Sequence, residues 1–332
     1  MILVTGGLGF VGAEIVRALV DAGHEVRVLD ARDGSGDVRD PDVVRRALDG
    51  VHAVCHQAAK VGLGVDLDDM PDYVSHNDVG TAILLHEMAR AGRTPRRLVL
   101  ASSMVVYGEG RYWCAEHGVV RPGPRRREDL DAGRYEPGCP RCGRELRPEA
   151  ITEDAAADPR NVYAATKLHQ EHLAFAFSRE TGVPVTALRY HNVYGPNMPR
   201  DTPYAGVAAL FASALAAGRA PRLLEDGGQL RDFVHVRDVA RANVLALTAD
   251  EPVHGVLNVC SGIRRSVADL AYALHAGAGD GAPEPKVVGG YRLGDVRHVF
   301  ASPTRAQRLL GFAAREDFSA GVSGLAKALA RP

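Results

Sequence analysis

Apolar and polar positions follow one another in a repeating strand–helix order. Ile2 to Val4 is a short apolar run that ends in the glycine-rich stretch Thr5-Gly6-Gly7-Leu8-Gly9-Phe10-Val11-Gly12. Ile15, Val16, Leu19 and Val20 then fall on one side of a helix that runs to Ala22, and Gly23 stops it. Glu25 to Leu29 and Val51 to His56 read as strands, Gly80 to Ala91 as a helix, and Arg97 to Ala101 as the next strand. A long helical pattern opens at Asn161 and runs to about Arg179, followed by a strand from Val183 to Tyr190. Beyond Pro196 the pattern loosens. Helices are expected at Ala205 to Ala217, Val236 to Ala249 and Ser266 to Ala276, with Ser266 as N-cap and a strand at Gly255 to Cys260. This order predicts an α/β protein. A Rossmann-type, doubly wound parallel sheet covers 1–185. A smaller C-terminal α/β substrate lobe covers 186–332, and 234–260 returns to the first domain.

Composition narrows the function classes. At 332 residues, 46% apolar and 24% charged, the chain reads as a soluble globular protein. Its net charge of −1 provides no footprint for nucleic acid or for an acidic membrane surface. No apolar run reaches membrane-spanning length, and the first strand begins at once, which leaves no room for a signal peptide. Five sparse cysteines, Cys55, Cys114, Cys139, Cys142 and Cys260, fit a reducing cytoplasm, with Cys55 and Cys260 in apolar strand contexts.

Two constellations then suggest chemistry. Strand, glycine turn, helix, strand and acid come in the order of a dinucleotide site. Gly6, Gly9 and Gly12 let the backbone turn and a pyrophosphate approach, and the first N–H groups of the helix, at Phe10 and Val11, face the phosphates. Asp30 stands where a carboxylate binds ribose hydroxyls, which favours NAD over NADP despite neighbouring Arg32. Ala58, Ala59, Ser102 and Ser103 follow strand ends and fall along one mouth of such a sheet. In the second constellation, Tyr163 and Lys167 lie one helical turn apart. An ammonium beside a phenol favours the phenolate, so Tyr163 is the candidate base.

These motifs in this order resemble the extended short-chain dehydrogenase/reductase family, and within it the NAD-dependent nucleotide-sugar epimerases. The resemblance rests on Gly6-x-x-Gly9-x-x-Gly12, Asp30, Gly36-Asp37-Val38, His56-x-Ala58-Ala59, Ser102-Ser103-x-x-Val106-Tyr107-Gly108 and Tyr163-x-x-x-Lys167. Further matches are Arg189-Tyr190-His191-Asn192-Val193-Tyr194-Gly195-Pro196, Arg231-Asp232-Phe233-Val234-His235-Val236-x-Asp238 and Arg292-x-Gly294-Asp295. It implies that Asp37 and Val38 contact adenine, and that Ser103 is a catalytic hydroxyl beside Tyr163 and Lys167. It implies that Asn192, Arg231 and Arg292 hold the diphosphate of a nucleotide-sugar substrate. His191 departs from the Phe common in the family. Met104-Val105 stands where related dehydratases carry an Asp-Glu pair, which leaves a 4-epimerase, or a 4-ketoreductase as the alternative. A dinucleotide sensor is a third reading, which the intact Ser103, Tyr163 and Lys167 disfavour. Apolar residues on more than one face of the helices 80–91 and 162–179, together with the resemblance, suggest a homodimer.

The insertion 109–158 is longer than most relatives carry. It holds Cys114-x-x-His117 and Cys139-x-x-Cys142, two knuckles that together complete a closed tetrahedral zinc site. Poor in aliphatics, it would need a metal to supply folding energy. A surface loop with incidental cysteines and a Cys139–Cys142 redox pair are the alternatives. Arg125-Arg126-Arg127 is expected to be solvated. The cysteine-bearing insertion resembles that of a subgroup that looks like dTDP-L-rhamnose 4-epimerases, implying a dTDP-deoxysugar. Its place between Ser103 and Tyr163 suggests a wall over the sugar.

Overall fold

Every strand of the central sheet is a short, apolar-rich run, which suits a parallel sheet covered on both faces. The computed structural model describes residues 1–62, 67–91, 95–199 and 206–330. Among these, β1 (Ile2–Thr5), β2 (Val26–Leu29), β3 (Ala53–His56), β4 (Leu98–Ser103), β5 (Val185–Tyr190) and β6 (Gly255–Val259) pair in the order β6-β5-β4-β3-β1-β2. All five pairings are parallel.

Successive strand residues point to opposite faces, and two cores follow from this alternation. Ile2, Val4, Val99, Leu188 and Leu257 pack against Ile15 and Leu19 of α1 (Phe10–Asp21) and against Val239, Ala242 and Ala246 of the helix Val236–Thr248. Leu3, Val54, Leu98 and Leu100 pack on the other face against Leu84 and Met88 of the helix Gly80–Arg90 and Ala174 and Phe177 of the helix Val162–Thr181. The chain leaves β1 for β2 on one side and then crosses to β3 on the other. That reversal opens a crevice at the carboxyl ends of β1 and β3.

Most predicted elements lie within a residue or two of their expected limits. The expected helix 205–217 is found as Val207–Ala216, its first position lying outside the described residues. Ser266 caps Val267–Ala278 in a capping box with Asp269. Cys55 and Cys260 are fully buried.

Two smaller bodies flank the crevice. In one, Leu230–His235 pairs in parallel with Asn192–Tyr194 and His298–Val299 and antiparallel with Arg264–Ser266. Phe211, Leu215, Leu270, Leu274, Val322 and Leu325 from three helices form a core with Phe233 of this sheet. The other is the insertion, where Arg111–Cys114 pairs antiparallel with Gly118–Val120 and Arg147–Glu149. Its core is only Tyr112, Cys114, Val120, Cys139 and Leu146, two of the five being cysteines. Among the described residues, no helix is long and apolar enough to cross a membrane.

Candidate active site

The dinucleotide turn is built so tightly that Gly6 and Gly12 are obligatory. Gly6 has φ +68°, and a Cβ there would meet the Ala58 backbone at 2.7–2.8 Å. A Cβ on Gly12 would fall 2.0 Å from the Gly6 carbonyl oxygen, whereas one on Gly9 would sit 3.2 Å from it. Gly9 caps α1 with no side-chain hydrogen bond, so the first-turn N–H groups at Phe10 and Val11 point into the crevice without a side-chain acceptor. Asp30 accepts from the backbone of Leu8 at 2.9 Å and of Arg32 at 3.0 Å, one bond on each carboxylate oxygen, and keeps lone pairs for further donors. The Arg32 guanidinium is turned back onto the Leu8 carbonyl at 2.9 Å. Asp37 is paired with Arg39, which holds its carboxyl below the usual range. Val38 is buried, its side chain directed at Gly80, where a Cβ would meet it at 2.8 Å. Ala58 and Ala59 lie half-buried beyond β3, the Ala58 N–H donating to Thr5 Oγ1. This cradle suits a dinucleotide: a glycine turn that no side chain can enter, a helix start without a side-chain cap, and a carboxylate at the end of β2.

Ser103, Tyr163 and Lys167 come together at the carboxyl end of β4. Asn161 caps the long helix by accepting from the Ala164 N–H at 2.8 Å, which sets Tyr163 in its first turn. Tyr163 is half-buried, and the Ser103 hydroxyl stands near enough to its phenol to favour the ionised form. One turn on, Lys167 reaches across to β4 and donates to the Ala101 carbonyl at 3.0 Å. Burial lowers the Lys167 ammonium to about 8, against the opposing charges of Glu171 and Asp78. Burial also pushes the Tyr163 phenol above its ordinary value, the Ser103 hydroxyl only partly offsetting it. The expected lowering of the phenol by Lys167 is not among the effects that act on it, and burial favours the protonated form.

Several supporting residues escaped the motif reading. Asn77 is fully buried within a π-helical stretch, Val74–Val79. Its side chain bonds the Lys60 N–H and carbonyl and the Thr166 hydroxyl, and so ties the loop after β3 to the helix that carries Tyr163. Such a widened turn recurs at functional sites and leaves no periodicity to read. Glu171 holds Arg189 through two bonds of 2.9 and 2.7 Å and also takes the Ser102 hydroxyl. Arg189 in turn lies over the Tyr107 ring, 4.6 Å from its centre. His191 is buried at the end of β5, its N–H on the Val259 carbonyl, and burial lowers it to about 3, so the ring is neutral.

The three residues expected at a substrate diphosphate are placed differently from one another. Asn192 pairs with Phe233 and Arg231 lies two residues before it, so their side chains leave the small sheet on one face. Asn192 Oδ1 is buried without a hydrogen-bond partner among the described residues. The Arg231 fork is already engaged: Nη1 donates to the carbonyls of Leu230 at 2.9 Å and Arg297 at 2.8 Å, and Nη2 to that of Val296 at 2.8 Å. Three of its five N–H groups are thus committed, which leaves Nε–H and one Nη2–H, the side-on pair of the fork. Arg292 stands on an exposed turn closed by the Asp295 N–H on its carbonyl at 3.1 Å.

In the insertion, the ligand atoms of Cys114, His117, Cys139 and Cys142 all lie within 4.8 Å of one another. Cys114 Sγ is 3.6 Å from His117 Nδ1 and 3.7 Å from Cys142 Sγ, and Cys139 Sγ is 3.7 Å from His117 Nδ1. A tetrahedron with Zn–S of about 2.3 Å and Zn–N of about 2.0 Å has edges of roughly 3.5–3.8 Å. All five cysteines are free thiols. One expectation about the insertion fails: Arg125 is not solvated. Its side chain is 5% exposed and bonds Glu225 at 2.9 Å and the Asp295 carbonyl at 2.8 Å.

Comparison with known proteins agrees with this geometry. The NAD dependent epimerase/dehydratase family matches residues 2–138 and 139–260. The chain is 32% identical to a dTDP-L-rhamnose 4-epimerase of Burkholderia thailandensis, over 98% of this chain and 93% of that one. It is 29% identical to a UDP-glucose 4-epimerase of Corynebacterium glutamicum, over 94% and 90%. The crystal structure of the Thermus thermophilus UDP-glucose 4-epimerase in complex with NAD superposes with a TM-score of 0.78 at 28% identity, covering 99% of this chain and 98% of that one. A glycine cradle suited to NAD beside a serine, a tyrosine and a lysine thus lies in a chain that matches these relatives over nine-tenths or more of their length, and the chain is an enzyme of the NAD dependent epimerase/dehydratase family.

Proposed function

We propose that the protein is a nucleotide-sugar 4-epimerase that keeps NAD bound through turnover, with a dTDP-deoxysugar such as dTDP-L-rhamnose as the preferred substrate. The observation that carries this reading is the placing of Ser103 at the carboxyl end of β4 and of Tyr163 in the first turn of the helix beside it, with Lys167 one turn beyond and bonded back to the Ala101 carbonyl of β4, and no acid or base at Met104-Val105. Bound NAD would take hydrogen from a sugar carbon and return it to the opposite face. The side chains do the rest. Tyr163 takes the proton of the 4-hydroxyl and later gives it back, while Ser103 holds the same oxygen. Lys167, charged below about pH 8, faces the crevice and favours the phenolate once positive charge gathers there. Gly6, Gly9, Gly12, Phe10 and Val11 receive the pyrophosphate, Asp30 the ribose, and Asp37 and Val38 the adenine edge. Ala58 and Ala59 leave room beside the cofactor. Asn192, Arg231 and Arg292 take the substrate diphosphate, Arg231 with the N–H groups its carbonyl partners leave free.

The same reading includes a structural zinc on Cys114, His117, Cys139 and Cys142, supported by the tetrahedral spacing of the ligand atoms and the small core around them. It includes a homodimer formed through the helices Gly80–Arg90 and Val162–Thr181, beside which Val74 and Val79 stand exposed. The test is a panel of dTDP-, UDP- and GDP-sugars assayed for epimer interconversion. The expected result is interconversion at C4 with no added nicotinamide consumed. Stoichiometric consumption of NADH or NADPH would instead make the protein a 4-ketoreductase.

A further inference from the structure

The stretch 295–298 is held from three sides, and this ties the insertion to the diphosphate site. Its backbone N–H groups, at Arg297 and His298, donate to the buried Glu109 carboxylate at 2.8 and 3.3 Å, and Tyr112 of the insertion donates to the same oxygen at 2.7 Å. Its carbonyls, at Val296 and Arg297, receive the Arg231 guanidinium. Its side chains turn to the insertion and to the substrate lobe together. Arg297 Nε bonds Glu136 at 2.7 Å, and its two Nη groups bond Glu225 and Asp226 at 2.8–2.9 Å. His298 Nδ1 accepts the Leu230 N–H at 3.0 Å, so its Nε2 carries the hydrogen that is donated to the other Glu136 oxygen at 2.8 Å. Glu225 is also bonded by Arg125 of the insertion and takes φ +55°, a backbone conformation retained only where its surroundings insist on it.

We propose that Glu136 is a positioning residue for the nucleotide-sugar site. It stands three residues before the Cys139 knuckle and bonds two consecutive residues of this stretch through its two oxygens. One of those residues, Arg297, presents the carbonyl that orients Arg231; the neighbouring Val296 presents the other. The insertion is thereby a template that sets the direction of the Arg231 fork, and a carboxylate on it governs substrate affinity without touching substrate. This rests on the epimerase reading of the site, in which Arg231 meets the diphosphate of the sugar nucleotide.

The experiment uses the full chain and the nucleotide sugar that the panel identifies. Glu136→Ala should raise KM for that substrate about tenfold, with kcat within about twofold and with unchanged bound NAD and zinc content. Glu128→Ala, which removes an exposed carboxylate from the same insertion, should leave KM unchanged. An unchanged KM in folded Glu136→Ala overturns the proposal. So does a raised KM accompanied by a fall in both kcat and NAD occupancy, which would mark general loosening. If the alanine variant does not fold, Glu136→Gln is read by the same criteria, because it keeps the volume but sets its amide donor against one of the two N–H groups, Arg297 Nε–H or His298 Nε2–H. A wild-type protein that interconverts no nucleotide sugar would defeat the epimerase reading itself, an outcome separate from either result for Glu136.

Discussion

Tyr163 is poised by opposing effects. Its hydroxyl lies where burial favours the neutral phenol, and the nearby Ser103 hydroxyl pulls the other way. Lys167 spends one of its donors on Ala101 and titrates near 8, so its charge is present at neutral pH and is lost as pH rises through that value. In the proposed mechanism the phenol therefore ionises in response to charge that arrives in the crevice, which would tie proton transfer to an occupied site. Tyr163→Phe keeps the ring and loses the proton carrier. Its kcat for epimer interconversion should fall by about 10²–10⁴-fold, the usual contribution of a positioned acid–base group, while NAD still copurifies at wild-type occupancy. A fully active variant would remove Tyr163 from the mechanism.

The strand–turn–helix unit at the N-terminus makes its own demand. The N-terminal turn of α1 packs so closely on the Gly6 carbonyl that the space for a Cβ at Gly12 does not exist, while at Gly9 a few tenths of an ångström would suffice. Gly12→Ala should lower stability by about 1–3 kcal/mol, as overpacking does, and weaken NAD binding. Gly9→Ala should do less on both counts. Thermal melts and a fluorescence titration with NAD would rank the two, and equal effects would contradict the packing argument. This unit was legible beforehand because its requirements are local: a turn, a helix start and an acid follow one another within the first 30 residues. The same holds for Tyr163 and Lys167, whose spacing is one helical turn. Asn77 and Glu136 were not legible, since nothing near them in the chain marks them. Glu136 meets Arg297 across 161 positions and Asn77 meets Thr166 across 89.

Across the molecule, the insertion links the first domain to the substrate lobe through a body with too little apolar core to hold itself. In the zinc proposal a metal on the four ligands would supply what that core lacks, so its removal should be felt both in folding and at the site. Emission spectroscopy should find one zinc per chain. Chelation, or Cys139→Ser, should lower the melting temperature and raise KM for the nucleotide sugar. Chelated protein with unchanged melting and unchanged activity would refute a structural metal.

The sequence by itself determined the alternation of strand and helix, the glycine turn for a dinucleotide, the tyrosine–lysine pair and the four clustered ligand types. Each is written in spacings of a few residues, where backbone geometry alone dictates what faces what. Only the tertiary structure decided which charged side chains are buried and paired. It turned Arg125 inward onto Glu225, committed most of the Arg231 fork to carbonyls, and raised the phenol that Lys167 was expected to lower. The physical reason is that burial and ion pairing are set by neighbours brought together from distant parts of the chain, which no local spacing records.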